Sequence, residues 1–247
     1  MGDDRYVSQP LALEGAYNVR DLGNYRTEGG ACTRAGMFLR GDGLHSLTRK
    51  DKEYLYRYGV RCIIDMRAPI ELERQPCCIT EQDAIAYYNV PLLDNIHSGS
   101  FEDEFPKSLG ELYIGLLSSS RDHISRVLKI IAGYPEVCVL FNCTAGKDRT
   151  GIIAMLLLKL AGVADKDVIA DYAASGDNIR AVLYEQKAAL ETGGRVLEDY
   201  LFESCPDDMA MALTYLETAC GSARNYMQTL GLTGKEIETV QRKLIGG

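Results

Sequence analysis

Short apolar runs alternate with helix-period patterns along the first two thirds of the chain. Met37-Phe38-Leu39-Arg40 reads as a short strand. Thr48, with Asp51 three residues on, is a capping-box signature, and Leu55, Tyr58 and Gly59 close the helix it opens. Val60–Asp65 is a β-branched run of strand length, and a second run from Ile85 to Val90 stops at Pro91. Helical periodicity returns over 107–119 and 122–134, where Ile124, Val127, Leu128 and Ile131 form an apolar stripe. Val137-Cys138-Val139-Leu140-Phe141 is apolar at every position, as suits a central strand covered on both faces. Arg149-Thr150-Gly151 then opens a very apolar helix through Ile152 and Leu158. From Asp165 onward the strand signals stop. Thr233 and Glu236 make another capping box ahead of Ile237, Val240 and Leu244. The pattern predicts an α/β domain with a largely parallel sheet flanked by helices. One domain over 1–247 is expected, with a helical C-terminal part over 165–247 that does not fold alone.

Composition narrows the role. The 247 residues carry a net charge of −8, with a sequence pI near 5.0. That argues against a general nucleic-acid binder, which needs a basic footprint. It leaves a phosphorylated substrate open, because a few local cations and backbone N–H groups bind one phosphate on an acidic protein. No apolar run approaches membrane-spanning length, and the acidic start Met1-Gly2-Asp3-Asp4 lacks the apolar core of a secretory signal. A cytoplasmic setting is therefore expected, with export by an unrecognised route left open. The eight cysteines show neither a C-x-x-C pair nor a zinc spacing, so they are expected to be reduced and mostly buried.

One cysteine stands apart. Cys143 is followed after five residues by Arg149. In a chain with eight cysteines this spacing alone is weak evidence. Its context is stronger: a buried strand leads into Cys143, and Arg149 begins a helix. Open α/β sheets bind ligands at that junction, and free helix N–H groups favour an anion there. A thiolate is the effective nucleophile, and the helix N-terminus, Arg149 and the loop amides all favour the charged form. The planar fork of Arg149 grips two phosphate oxygens, which lysine cannot do. Gly146 lets the backbone turn its N–H groups inward, and the Thr150 hydroxyl is placed to hydrogen-bond a departing thiolate. A nucleotide-binding P-loop fails, because Phe141 stands where its first glycine is needed and Asp148 at its Ser/Thr position. No metal and no cofactor are called for.

The loop Cys143-Thr144-Ala145-Gly146-Lys147-Asp148-Arg149-Thr150-Gly151 resembles that of the cysteine-dependent protein tyrosine phosphatases, and in its fuller form their bacterial and fungal tyrosine/serine phosphatase branch. Asn18-Val19-Arg20-Asp21-Leu22-Gly23, Phe38-Leu39-Arg40-Gly41-Asp42, Ile64-Asp65-Met66-Arg67, Val90-Pro91-Leu92-Leu93-Asp94 and Ala170-Asp171-Tyr172 are similar to further landmarks of that branch. The resemblance implies a dual-specificity-type fold with a helical lid, here near 96–120. Asn142 departs from the pattern, since the family usually places histidine before the nucleophile. Asparagine supplies hydrogen bonds but no ring or positive charge, so a working thiol that ionises less readily is expected.

The expected chemistry is phosphate monoester hydrolysis through a cysteinyl-phosphate. Thr144, Ala145, Gly146, Lys147, Asp148 and Arg149 are expected to bind the phosphate, and inorganic phosphate or sulfate is an expected occupant of the loop. Asp94 is favoured as general acid by position, with Asp148 the competitor. Asp65 is expected to be structural, bonding Arg67 or Arg20. Arg20 and Asp21 either line the pocket or, in the favoured reading, form a structural ion pair. Lys147 either meets a substrate with several phosphates, such as a phosphoinositide, or is solvated and steers anions weakly. Tyr113 is expected in the core. A phosphate-binding module with little turnover and a different thiol enzyme, such as a sulfurtransferase or arsenate reductase, are the alternatives.

Overall fold

Apolar runs too short to shield themselves pair side by side into one five-stranded sheet. The computed structural model describes residues 6–92, 107–192 and 198–246. Its strands are β1 (Arg20–Asp21), β2 (Phe38–Gly41), β3 (Val60–Asp65), β4 (Ala86–Asn89) and β5 (Cys138–Asn142), in the order β1-β2-β5-β3-β4. All neighbours run parallel except β1, which lies antiparallel against β2. β5 is central and buried at every residue. Its side chains alternate between two cores: Val139 and Phe141 face one, Cys138 and Leu140 the other.

The helices follow from caps and stripes. Thr48 and Asp51 form the capping box of α1 (Arg49–Tyr58), and Gly59, at φ 109°, ends it. α1 buries Leu55 in the smaller core, with Leu140 and Ile63. The larger core lies on the opposite face. It takes α3 (Leu109–Ser119), α4 (Arg121–Ala132) and α5 (Asp148–Ala161), with α7 (Pro206–Cys220), α8 (Ala223–Thr229) and α9 (Gly234–Ile245). Every residue of α5 except Lys159 is buried. A helix apolar all round needs cover on all sides, and α6 (Asp165–Thr192), α8 and α9 complete it. This is why the chain continues as helices beyond 165.

Two short elements have no apolar pattern of their own. β1 is two charged residues with no apolar run, and the six-residue α2 (Pro69–Arg74) buries nothing. The expected lid falls partly on 96–106, outside the described residues. The rest of that range holds α3, which buries Leu109, Leu112, Tyr113, Leu116 and Leu117. The cysteines are unpaired, but only Cys62, Cys138 and Cys143 are buried, with Cys32 and Cys205 exposed. The expectation of mostly buried thiols is corrected here, since the other five lie on loops and helix ends, where Cys77, Cys78 and Cys220 are only half-buried. Among the described residues no helix is long and apolar enough to cross a membrane.

Candidate active site

β5 ends at Asn142 and α5 begins at Asp148, so Cys143 to Lys147 form a tight loop at the C-terminal edge of the sheet. Three successive carbonyls of this loop are held from outside. Thr144 O accepts from the Gly43 amide at 3.0 Å. Ala145 O accepts from Asn18 Nδ2 at 3.0 Å. Gly146 O accepts from Asn18 Nδ2 at 3.2 Å and from Arg40 Nη2 at 2.8 Å. The described peptide bonds are all trans, and a trans peptide aims the next N–H away from its carbonyl. The amides of Ala145, Gly146 and Lys147 therefore turn to the inner side of the loop, where the α5 N-terminus adds its own free N–H groups. Backbone N–H groups gathered in this way can cradle an anion. Gly146 is required twice over. Its φ of +67° favours glycine, and a Cβ there would stand 2.5 Å from the Gly41 carbonyl.

Arg149, buried, is gripped by Glu71 of α2. Nη1 donates to Oε2 at 2.6 Å and Nη2 to Oε1 at 2.8 Å. The Thr144 hydroxyl donates to the same Oε1 and accepts from Arg149 Nη2 at 3.2 Å. Arg149 Nη1 also reaches Met66 O at 3.3 Å. Burial alone would raise the Glu71 carboxyl, but hydrogen bonds from Arg149 and its charge, with Thr144 and the Ala68 amide, hold it at about 2. Its side chain keeps 15% exposure, against 1% for that of Arg149.

Cys143 follows β5 directly and is buried. Asn142 is buried too, and its side-chain nitrogen and oxygen find no hydrogen-bond partner. The hydrogen bonds expected from this asparagine are therefore absent among the described residues. Its cross-strand neighbours explain why: Gly41 has no side chain, and Asp65 is engaged elsewhere. Asp65 binds Arg67 through Nε at 3.0 Å and Nη2 at 2.7 Å, and accepts from Tyr87 Oη at 3.1 Å. Thr150 Oγ1 donates to Gly41 O at 3.4 Å.

Lys147 corrects one expectation. It is 1% exposed, so it is not solvated. Its ammonium donates to Leu201 O at 2.8 Å and Glu203 O at 2.7 Å, on the segment ahead of α7. Asp148 Oδ1 accepts from Tyr113 Oη at 2.5 Å, and Tyr113 and Tyr172 share a hydrogen bond of 2.7 Å. Burial, then Asp148, raise the Tyr113 phenol well above its ordinary range, so it stays a donor. Arg20 and Asp21 do not pair with each other, because successive strand residues face opposite ways. Arg20 binds Asp171, whereas Asp21 accepts from the amides of Gly23 and Gly36 at 2.6 Å each and from the Tyr58 hydroxyl. Asp94 lies outside the described residues.

Glu71, Asn18 and Arg40 were not foreseen at the site. Glu71 carried only a helix-start signal, a carboxylate behind Pro69. The turn from β5 into α5 thus carries a buried thiol at its start and an arginine fixed by Glu71 at its end. Residues 11–246 match the tyrosine phosphatase family, and the chain belongs to it. It hydrolyses phosphate monoesters. It is 31% identical to a tyrosine-protein phosphatase of Nostoc commune, over 85% of this chain and 74% of that one. It is 25% identical to the triple specificity protein phosphatase PtpB of Mycobacterium tuberculosis, over 95% and 98% of the two chains. The crystal structure of P. aeruginosa TpbA shares 13% identity and a TM-score of 0.47, covering 94% of this chain and all of that one.

Proposed function

We propose that Cys143 is the nucleophile of a phosphatase for protein phosphomonoesters, with phosphotyrosine the preferred substrate. The thiolate attacks phosphorus in line. The S–P bond forms as the ester P–O bond breaks, and Asp94 gives its proton to the leaving oxygen. Water then attacks phosphorus, its proton passes to Asp94, and the S–P bond breaks to release phosphate and thiolate. The loop amides and Arg149 hold the equatorial oxygens, where charge grows. The observation that carries this reading is the outward pinning of three consecutive loop carbonyls, which leaves their neighbouring amides to the phosphate. We read 1–247 as one catalytic unit, since residues from Asn18 to Glu203 hold the loop.

Lys147 supports a single phosphate on the substrate. Its ammonium is occupied by two backbone carbonyls, and Arg20, Arg40 and Arg67 are each paired with a carboxylate. A substrate with several phosphates finds no additional free cation from these side chains. Turnover of para-nitrophenyl phosphate that disappears in Cys143→Ser tests the chemistry. A panel of phosphotyrosine peptides, phosphoserine peptides and phosphoinositides tests the preference. If Lys147→Met lowers kcat/KM for phosphoinositides while sparing phosphotyrosine peptides, Lys147 meets substrate and this reading of specificity is wrong.

A further inference from the structure

The register of β1 on β2 sets Arg20 directly across from Arg40. Both side chains are fully buried. Like charges placed opposite each other on a sheet repel, and buried charges need partners. The partner comes from far along the chain. Asp171, in the second turn of α6, accepts from Arg20 Nε at 3.1 Å through Oδ1 and from Arg40 Nη1 through Oδ2. It is the one carboxylate that either guanidinium touches among the described residues. Burial would raise the Asp171 carboxyl, but Arg20 and Arg40 bring it below its ordinary range. The cluster is finished by Tyr25, whose hydroxyl donates to Asp171 Oδ1 at 2.9 Å, and by Ser175, which accepts from Arg20 Nη2 at 3.1 Å.

Both arginines continue from this carboxylate to the loop. Arg40 Nη2 donates to Gly146 O at 2.8 Å. Arg20 Nη1 donates to Asn18 Oδ1, which also accepts from Asn178 of α6 at 3.0 Å, and to Asn18 O at 3.3 Å. With its oxygen held, Asn18 presents its amide nitrogen to Ala145 O and Gly146 O. Glycine is the least constrained residue of any loop, and Gly146 has its carbonyl held twice. Were that carbonyl to rotate, the Lys147 amide would turn out of the cradle.

We propose that Asp171 is a positioning residue for the phosphate cradle: by gripping Arg20 and Arg40 together it aims Arg40 at Gly146 O and, through Arg20, holds Asn18 against the carbonyls of Ala145 and Gly146. It touches neither substrate nor thiol. The inference rests on the reading of Cys143 to Arg149 as the phosphate loop, and it gives the Ala170-Asp171-Tyr172 landmark a role in the reaction. Removing one preorganised donor from a charge-stabilising site typically costs on the order of 100-fold in turnover.

The test compares wild type, Asp171→Asn and Tyr25→Phe, with para-nitrophenyl phosphate as substrate and vanadate, an oxyanion able to take five-coordinate geometry, as inhibitor. For Asp171→Asn the expected result is kcat lower by on the order of 100-fold, KM changed by less than about 3-fold, and vanadate inhibition weakened in parallel with kcat. Tyr25→Phe removes one donor to Asp171 and leaves every charge, so it is expected to fold and to shift kcat and vanadate the same way by about 3-fold. It decides the question if Asp171→Asn does not fold. The sign of the vanadate effect discriminates. A purely electrostatic role predicts tighter vanadate in Asp171→Asn, because the variant is more positive behind the loop, and that result would overturn the proposal. A purely structural role lowers Tm while folded variants keep wild-type kcat and vanadate inhibition, and that also overturns it. A wild type that neither turns over the substrate nor binds vanadate overturns the phosphate-loop reading and the inference together. A wild type that does both, matched by both variants, overturns the inference alone.

Discussion

Replacing Glu71 with glutamine keeps the size of the side chain and one acceptor oxygen but removes the charge that faces Arg149. The Glu71 carboxyl sits at about 2 against an ordinary 4.5. At about 1.4 kcal/mol per tenfold change in proton affinity, this corresponds to about 3 kcal/mol of differential stabilisation. Solvent still reaches the side chain, which is 15% exposed, so screening reduces the expected loss at pH 7 to about 2 kcal/mol. For a chain of 247 residues that lowers Tm by about 4–8 °C. The sign with pH follows from a depressed carboxyl. Its contribution is full above the unfolded value near 4.5 and is lost as pH falls toward about 2. The gap between wild type and Glu71→Gln should narrow by roughly 40% by pH 3.5. Urea unfolding of both proteins at pH 7 and pH 3.5 measures it. Activity adds a second readout. A guanidinium free to swing should lower kcat on para-nitrophenyl phosphate by about 10- to 100-fold. The reasoning is refuted by equal urea midpoints at pH 7, or by a gap that widens as pH falls. A rise in kcat/KM would refute it differently, by showing that the carboxylate competes with phosphate for Arg149.

Three further outcomes are expected. Gly146→Ala forces a Cβ to 2.5 Å from the Gly41 carbonyl at a φ of +67°; it should abolish turnover and lose phosphate-induced stabilisation in a thermal-shift assay. Asn142→His should let Cys143 react with iodoacetate at lower pH than wild type, because a ring able to carry charge replaces an amide with no partner among the described residues; identical alkylation profiles would sink the idea. Asp94→Asn should lose most turnover on a poor leaving group and little on para-nitrophenyl phosphate, whose leaving group needs less protonation; if Asp148→Asn behaves that way instead, Asp148 is the acid.

The strand–loop–helix turn around Cys143 was legible in the sequence because its signals are local. A wholly apolar strand, the spacing from Cys143 to Arg149, Gly146 and an apolar helix lie within one stretch from 137 to 158. The caps at Thr48 and Thr233 and the helical run from Asp165 were legible for the same reason, since caps and periodicities act within a turn or two. What holds that loop in a binding shape was decided by tertiary structure. Asp171 meets Arg40 across 131 residues, Asn18 meets Ala145 across 127, and Glu71 meets Arg149 across 78. No local propensity encodes such pairs, because each forms only after the sheet order has brought β1, β2, β5 and α6 to one edge. Lys147 shows the difference most sharply. By sequence it is a cation in a phosphate loop, free to meet anions. In the fold it is a buried donor to Leu201 and Glu203, because the segment ahead of α7 brings two carbonyls to the loop, and a buried ammonium must satisfy its N–H groups where it lies.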